Sequence, residues 1–156
     1  MGIEQLTGEY NATLDEKGRI SLPALLRRGL NETTVYLTKG GEEYLALYPS
    51  HKWNETISTI MKNTNQFSAK DRNFRRRFIG PSQEVEIDKA GRIPISQRLR
   101  EFAGLSKDCV FVGQVDYIEI WAEDRYRAYI DASDEEYAAA SEELSNTLKS
   151  KRGSGE

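Results

Sequence analysis

Asp15-Glu16-Lys17-Gly18-Arg19-Ile20 returns later in the chain as Asp88-Lys89-Ala90-Gly91-Arg92-Ile93, and both copies read Asp-x-x-Gly-Arg-Ile. The copies stand 73 residues apart (88 − 15), and their flanks extend the match. Ahead of them, residues 9–14 and 83–87 both alternate in the manner of a strand. Behind them, Leu22 and Leu26 align with Ile95 and Leu99. Val35-Tyr36-Leu37 aligns with Val110-Phe111-Val112 at an offset of 75, and residues 44–48 align with 117–121, again at 73. A self-similar unit of about fifty residues, with its length differences in loops, is an internal duplication.

The motif encodes a turn between strands. Gly18 and Gly91 supply a backbone position open to positive φ. Asp15 and Asp88 can accept hydrogen bonds from turn N–H groups. Turn closure needs the Asp and the Gly; it does not need a cation twice. Yet each copy presents an Arg and a Lys: Arg19 with Lys17, Arg92 with Lys89. A plain hairpin, with Asp and Arg holding its own tip, is the alternative reading.

The chain has 156 residues, enough for one ordinary domain, with 38% apolar and 30% charged residues. A net charge of −3 argues weakly against nucleic acid, but the charge is uneven. Residues 1–100 carry 16 Lys+Arg against 12 Asp+Glu, whereas residues 123–143 carry eight acids and only Arg125 and Arg127. A basic-leaning body bears an acidic appendix. The single Cys109 sits in an apolar strand pattern and reads as a reduced core thiol, which favours an intracellular, cytoplasmic compartment. No apolar run reaches transmembrane length, and none resembles a signal peptide.

In chain order, residues 1–7 form a lead-in. A strand (9–14), the Asp15 turn and a short strand (19–22) follow. Pro23 opens a helix over 24–28 that Gly29 ends. Strands cover 33–39 and 44–48. Pro49-Ser50 opens a helix with an apolar stripe of Trp53, Ile57, Ile60 and Met61. After a polar connection, a helix over 71–78 stacks Phe74 on Phe78 and carries Arg72, Arg75, Arg76 and Arg77. The second copy repeats the order: strand 83–87, the Asp88 turn, strand 92–95, a helix capped by Ser96 and closed near Gly104, and strands 109–112 and 117–121. A helix from about residue 123 and another, boxed by Ser133 and Glu136, complete the chain. Tyr137, Leu144 and Leu148 give the last helix a thin apolar stripe, and residues 149–156 read as disordered. The expected class is α+β: two tandem β–turn–β–α–β–β–α units. Each is too small for its own core, so each completes itself on the other in a pseudo-twofold, barrel-like body. A doubled cationic turn suits a target with periodic phosphates, such as duplex DNA.

The paired turns Asp15/Arg19 and Asp88/Arg92, their Gly-Arg-Ile continuation, Arg76-Arg77-Phe78, and the run from Gly91 to Trp121 together resemble the bacterial MraZ transcription factors, over roughly residues 7–130. The wider class is that of AbrB-like swapped-hairpin DNA-binding domains. The resemblance implies a first AbrB-like repeat at 7–62, a connecting helix and linker at 63–80, a second repeat at 81–130, and an acidic C-terminal helix with a disordered tail at 131–156. It further implies a repressor of the cell-division and cell-wall gene cluster that includes its own gene. Such a repressor binds G-rich direct repeats in the promoter as a ring-shaped homo-oligomer at the nucleoid. By position, Arg19 and Arg92 are the implied DNA contacts and Lys17 and Lys89 their supports. Asp15, Gly18, Asp88 and Gly91 organise the turns. Pro94 and Pro81 depart from the family pattern without touching the turns.

Arg19 and Arg92 can serve as phosphate contacts, which are salt-sensitive and sequence-blind, or as bidentate readers of guanine. Arg75, Arg76 and Arg77 fan around a helix, and DNA, acids of another subunit such as Glu84 or Glu86, and solvent all remain open to them. Arg27, Arg28, Arg98 and Arg100 read as a solvated helix face or as backbone contacts. Tyr44, Tyr48, Tyr117 and Trp121 read as core. His51 is a surface residue at a helix start, and one His and one distant Cys make no metal site. No cofactor, small-molecule substrate or membrane is expected. An enzyme using Asp15 and Asp88 as paired carboxylates is disfavoured, because an Arg four residues on keeps each ionised. An antitoxin-like or structural ring protein is the third reading; substituting Arg19 and Arg92 would leave its function intact.

Overall fold

The structure, a computed structural model, describes residues 6–153. Most of the expected lead-in (1–5) and the last three residues of the expected tail lie outside the described residues. The chain divides into two compact units, Met1–Glu123 and Asp124–Glu156.

In the first unit the two copies have the same element order. Copy one runs β1 (Glu9–Thr13), β2 (Arg19–Ser21), α1 (Ala24–Leu30), β3 (Thr34–Lys39), β4 (Leu45–Pro49) and α2 (Ser50–Asn63). After α3 (Ala69–Phe78), copy two runs β5 (Gln83–Glu86), β6 (Arg92–Pro94), α4 (Gln97–Ala103), β7 (Asp108–Gly113) and β8 (Ile118–Ala122). The strands interleave. β1 of copy one pairs with β7 of copy two, β5 of copy two pairs with β3 of copy one, and β4 joins β8 in the middle of a six-stranded sheet ordered β1-β7-β8-β4-β3-β5. A separate ribbon joins β2 to β6.

The register reveals the symmetry. Ile20 faces Ile93 and Ala46 faces Glu119, and each of these pairs is a residue facing its own equivalent 73 positions on. A pseudo-twofold axis therefore passes through both pairs. The expected barrel is not closed, because β1 and β5 end the sheet as edges.

The core lies between one face of the sheet and the β2–β6 ribbon with its helices. Leu45, Leu47, Ile118 and Ile120 come from the central strands, Ile20 and Ile93 from the ribbon, Leu26 and Leu30 from α1, and Leu99 and Ala103 from α4, all essentially inaccessible. Neither copy encloses such a core alone, which is the physical reason for the exchange of strands. The opposite face of β4 and β8 carries Tyr44, Tyr48, Tyr117 and Trp121. Tyr44 and Trp121 are buried, as the core reading expects, and with the half-buried Tyr48 and Tyr117 they form an aromatic layer beside the aliphatic core. Tyr48 and Trp53 lie 5.4 Å apart in edge contact, and Trp53 and Phe78 stack at 5.6 Å, so α2 and α3 are pinned to the sheet.

Several expectations shift. Val35 pairs with Val85, and the equivalent strand β7 pairs Ala12 with Cys109, so the copies match here at 74, not 75. Gly29 lies inside α1, and Asn31, at φ 51°, provides the left-handed cap. Ser96 and Gly104 cap α4 as expected. Along α2 Trp53 is buried but Met61 is exposed, so the stripe holds mainly at its start. Leu6 is buried and bridges Val115. Glu32 accepts the Ser50 backbone N–H at the start of α2 and lies 3.3 Å from His51 Nδ1.

The second unit comprises α6 (Asp134–Gly153) and nearly all of α5 (Glu123–Ala132). The Ser133 hydroxyl donates to the Tyr129 carbonyl at 2.7 Å instead of forming a capping box. Helix continues through Gly153, where composition had pointed to disorder. No helix of the described residues is long and apolar enough to cross a membrane.

Candidate nucleic-acid interface

Each motif folds into the same turn. The N–H of Gly18 donates to the Asp15 carbonyl at 3.1 Å, and Gly91 repeats this with Asp88 at 2.9 Å. Both glycines sit at positive φ, 80° and 83°, where a side chain would be strained. Asp15 Oδ1 accepts from the N–H groups of Lys17 and Arg19, each at 2.9 Å, and Asp88 Oδ1 does the same for Ala90 and Arg92 at 3.0 and 2.8 Å. The remaining carboxylate oxygen takes one guanidinium nitrogen. Arg19 Nε lies 2.9 Å from Asp15 Oδ2, and Arg92 Nε lies 2.9 Å from Asp88 Oδ2. Hydrogen bonds from the Arg backbone, against a desolvation cost and with help from the Arg side chain, hold both carboxyls below the usual carboxylate range. Ionised acceptors of this kind hold a turn and cannot donate a proton.

The tip-holding pair of the plain-hairpin reading is thus present, but it uses only Nε. Among the described residues Asp15 and Asp88 are the polar partners of these two side chains, so the terminal guanidinium nitrogens stay available. Strand alternation aims them. Ile20 and Ile93 point into the core, so Arg19 and Arg92, one place earlier in their strands, face outward on the same side of the ribbon. Arg19 pairs with Pro94, two residues beyond Arg92. The two Arg backbones are therefore roughly 8 Å apart, from two residues of strand rise and one interstrand spacing.

The fold brings the other turn residues together unevenly. Lys17 is exposed at the third position of its turn, whereas Lys89 is exposed at the second, and Ala90 stands where Lys17 does. Lys107 and Ser106 line a groove with Asp15, Lys17 and Arg19, so the first turn gains a cation from copy two. Two of the helix arginines read as a solvated face or as backbone contacts instead brace the turns. Arg100 on α4 donates to the Ile95 carbonyl and lies against Gly18, while Arg27 on α1 reaches the Lys89 carbonyl at 3.4 Å and lies against Gly91. Each turn is braced by a helix of the other copy. Their spacing of 73 was the signal (100 − 27). Of the Arg run, Arg75 bonds the Thr64 hydroxyl and carbonyl at 2.9 and 3.1 Å, and Arg72 bonds the Gln66 carbonyl, so both hold the interrepeat connection. Arg76 and Arg77 are exposed. Glu84 and Glu86 accept from Tyr36 and Thr34. No group of three or more potential metal ligands occurs among the described residues.

The family model described as "MraZ protein, putative antitoxin-like" matches twice, at residues 5–77 and 78–148. Relatives named Transcriptional regulator MraZ match along most of their length. The Treponema denticola protein is 42% identical over 139 residues, covering 89% of this chain and 96% of that one. The Treponema pallidum (strain Nichols) protein is 44% identical over 138 residues, covering 88% and 93%. The Symbiobacterium thermophilum protein is 38% identical over 137 residues, covering 88% and 98%. With tandem matches to the family model and relatives of this closeness, the chain belongs to the MraZ family, whose members are transcriptional regulators and not enzymes.

Proposed function

We propose that this protein is a sequence-specific transcriptional regulator that binds double-stranded DNA through its two Asp-x-x-Gly-Arg turns. The observation that carries the reading is the β2–β6 ribbon with Arg19 and Arg92 on one outward side, each clamped through Nε alone. A two-stranded ribbon fits the major groove, and a guanidinium with both terminal nitrogens available matches guanine O6 and N7. That chemistry favours G-rich sites. Arg19 and Arg92 make the base contacts, Lys17 and Lys89 support them at the backbone, and Asp15, Gly18, Asp88 and Gly91 hold the geometry.

Arginines roughly 8 Å apart span two or three base steps of about 3.4 Å. One chain then reads too little sequence for a promoter, and several copies on direct repeats supply the rest. We therefore infer a ring-forming homo-oligomer that acts in the cytoplasm at the nucleoid. It represses the cell-division and cell-wall cluster, including its own gene. The interleaved repeats, at 7–62 and 81–130 around a connection at 63–80 and followed by the acidic region 131–156, constitute the AbrB-like swapped-hairpin form of this architecture.

The test is fluorescence anisotropy on a duplex from upstream of the protein's own gene, beside a scrambled duplex, with light scattering for mass. Tight, salt-weakened binding to the native duplex alone is expected. Equal binding to both would reduce the turns to phosphate clamps, and no binding to either would end the DNA reading.

A further inference from the structure

The two turns do not carry the same charge. Residues 15–19 hold two acids and two cations, a balance of zero, whereas residues 88–92 hold one acid and two cations, a balance of +1. Glu16 stands in copy one where Lys89 stands in copy two, and Lys17, opposite Ala90 in the alignment, offsets only half of that difference. A turn without net positive charge is a poor match for a phosphate backbone.

The fold sets a cation beside the weaker turn. The Leu14 N–H donates to the Lys107 carbonyl at 2.9 Å, and the Ile87 N–H donates to the Thr33 carbonyl at 2.7 Å. Lys107 and Thr33 therefore hold equivalent places, each next to the residue that leads into a turn. At the first turn Ser106 and Lys107 of copy two line a groove of about 620 Å³ with Asp15, Glu16, Lys17 and Arg19. Lys107 is exposed, and among the described residues it forms no ion pair with Glu16 or any other carboxylate. At the second turn Thr33 offers no charge, and Glu32, the counterpart of Ser106, turns its carboxylate to Ser50 and His51. With Lys107 counted, the first turn reaches the balance that the second has by itself.

We propose that Lys107 is a phosphate contact of the first turn, a cation supplied by copy two that makes up for Glu16. This rests on the DNA reading above and extends it to a loop outside the Asp-x-x-Gly-Arg motif. Because the contact is to phosphate, it adds affinity on any sequence and no preference among sequences.

Three variants test it by anisotropy on native and scrambled duplexes at several salt concentrations. Lys107→Ala removes the cation, Lys107→Arg keeps it, and Lys62→Ala removes an equal charge from α2, on the far face of the sheet. Both lysines are exposed, and circular dichroism checks folding. Lys107→Ala is expected to lower the slope of log K against log salt by about 0.9 for each copy bound, and the affinity roughly three- to tenfold, equally on both duplexes. Lys107→Arg and Lys62→Ala are expected to keep the wild-type slope. An unchanged slope and affinity in Lys107→Ala would overturn the proposal, while the wild type's own binding keeps the DNA reading. A slope lowered as much by Lys62→Ala would mean that net charge acts, not a contact, and a Lys107→Arg variant as weak as Lys107→Ala would mean that the charge is not what matters; either overturns it. A loss confined to the native duplex would make Lys107 a reader of bases and overturn the phosphate role. A wild type that binds neither duplex would remove both readings.

Discussion

Replacing both Arg19 and Arg92 by Lys separates base reading from phosphate binding, because it keeps the charge and removes the geometry. Lysine has no Nε to rest on Asp15 or Asp88 and no pair of terminal nitrogens to match guanine. If each Arg makes one bidentate guanine contact, each change costs about 1–3 kcal/mol of discrimination, and the pair about 2–6 kcal/mol. At 1.4 kcal/mol per tenfold, specific affinity falls roughly 30-fold to 10⁴-fold while binding to a scrambled duplex hardly moves. The slope of log K against log salt stays nearly constant, since no cation has been removed. The double Ala variant, by contrast, loses specific affinity and also flattens that slope by up to about 0.9 for each phosphate left without its cation. Anisotropy titrations of wild type, double Lys and double Ala, on native and scrambled duplexes at several salt concentrations, supply every term. A double Lys variant that keeps the wild-type preference for the native duplex would refute base reading. A double Ala variant with native circular dichroism and unchanged affinity would refute the site itself.

Gly18→Ala with Gly91→Ala forces two side chains into left-handed backbone and against the Arg100 and Arg27 guanidinium groups. A loss of about 1–2 kcal/mol per site is expected in urea unfolding, and an unchanged midpoint would show the turns to be more pliable than drawn. Arg27→Ala with Arg100→Ala removes the cross-copy braces, and roughly a tenfold loss of DNA affinity with native secondary structure is expected. Unaltered affinity would make the braces incidental. Asp15 and Asp88 have lowered folded-state pKa values, so their contribution is present above the unfolded value and lost as pH falls through the folded one. Carboxyl NMR titration should therefore place both midpoints below the ordinary Asp value of about 3.9; midpoints at or above it would contradict the hydrogen bonding. Burial, with the Asp108 charge adding to it, pushes the Cys109 thiol up to about 11. Thiol reagents should label it only after denaturation, and prompt labelling of the native protein would mean β7 opens.

The duplication was legible because turns and helix faces depend on a few residues at fixed spacing. The same offset, applied further, finds more. Asn31 stands 73 before Gly104, and since Asn tolerates left-handed backbone, the true cap of α1 was visible beside the more obvious Gly29. Arg27 and Arg100 share that offset too, but a long-range contact from a helix to another copy's turn leaves no local pattern. The slip at Val35 has a different cause. One residue of register reverses the faces of a strand, and alternation normally guards against it. In β7 that guard fails, because Cys109, Val110, Phe111 and Val112 are all buried and no polar residue marks the outer side. The Asp-x-x-Gly-Arg turns were read directly. Their joint presentation on one ribbon required the pairing of β2 with β6, which is set by the tertiary exchange of strands.

Fusion of two copies in one chain has a consequence at the pseudo-axis. A residue on that axis faces its own equivalent, so any choice made in an exact dimer is made twice. Ile20 opposite Ile93 accepts this, because two aliphatic side chains pack. Glu119 could not, since a second Glu opposite it would put two carboxylates side by side in a buried site. The chain instead holds Ala46 there, and the lone Glu119 carboxylate accepts a hydrogen bond from Trp121 Nε1 at 2.8 Å. Burial raises its pKa, which shows how poorly the place would suffer two charges. The same freedom appears at the turns, where Lys17 has Ala90 as its counterpart and Lys107 adds a cation to the first turn. An exact twofold protein matches palindromes, because both half-sites must meet the same residues. A direct repeat has no such symmetry. Two turns that share an Asp, a Gly and an Arg but differ in their flanking cations can meet unlike bases within one repeat of the kind proposed above.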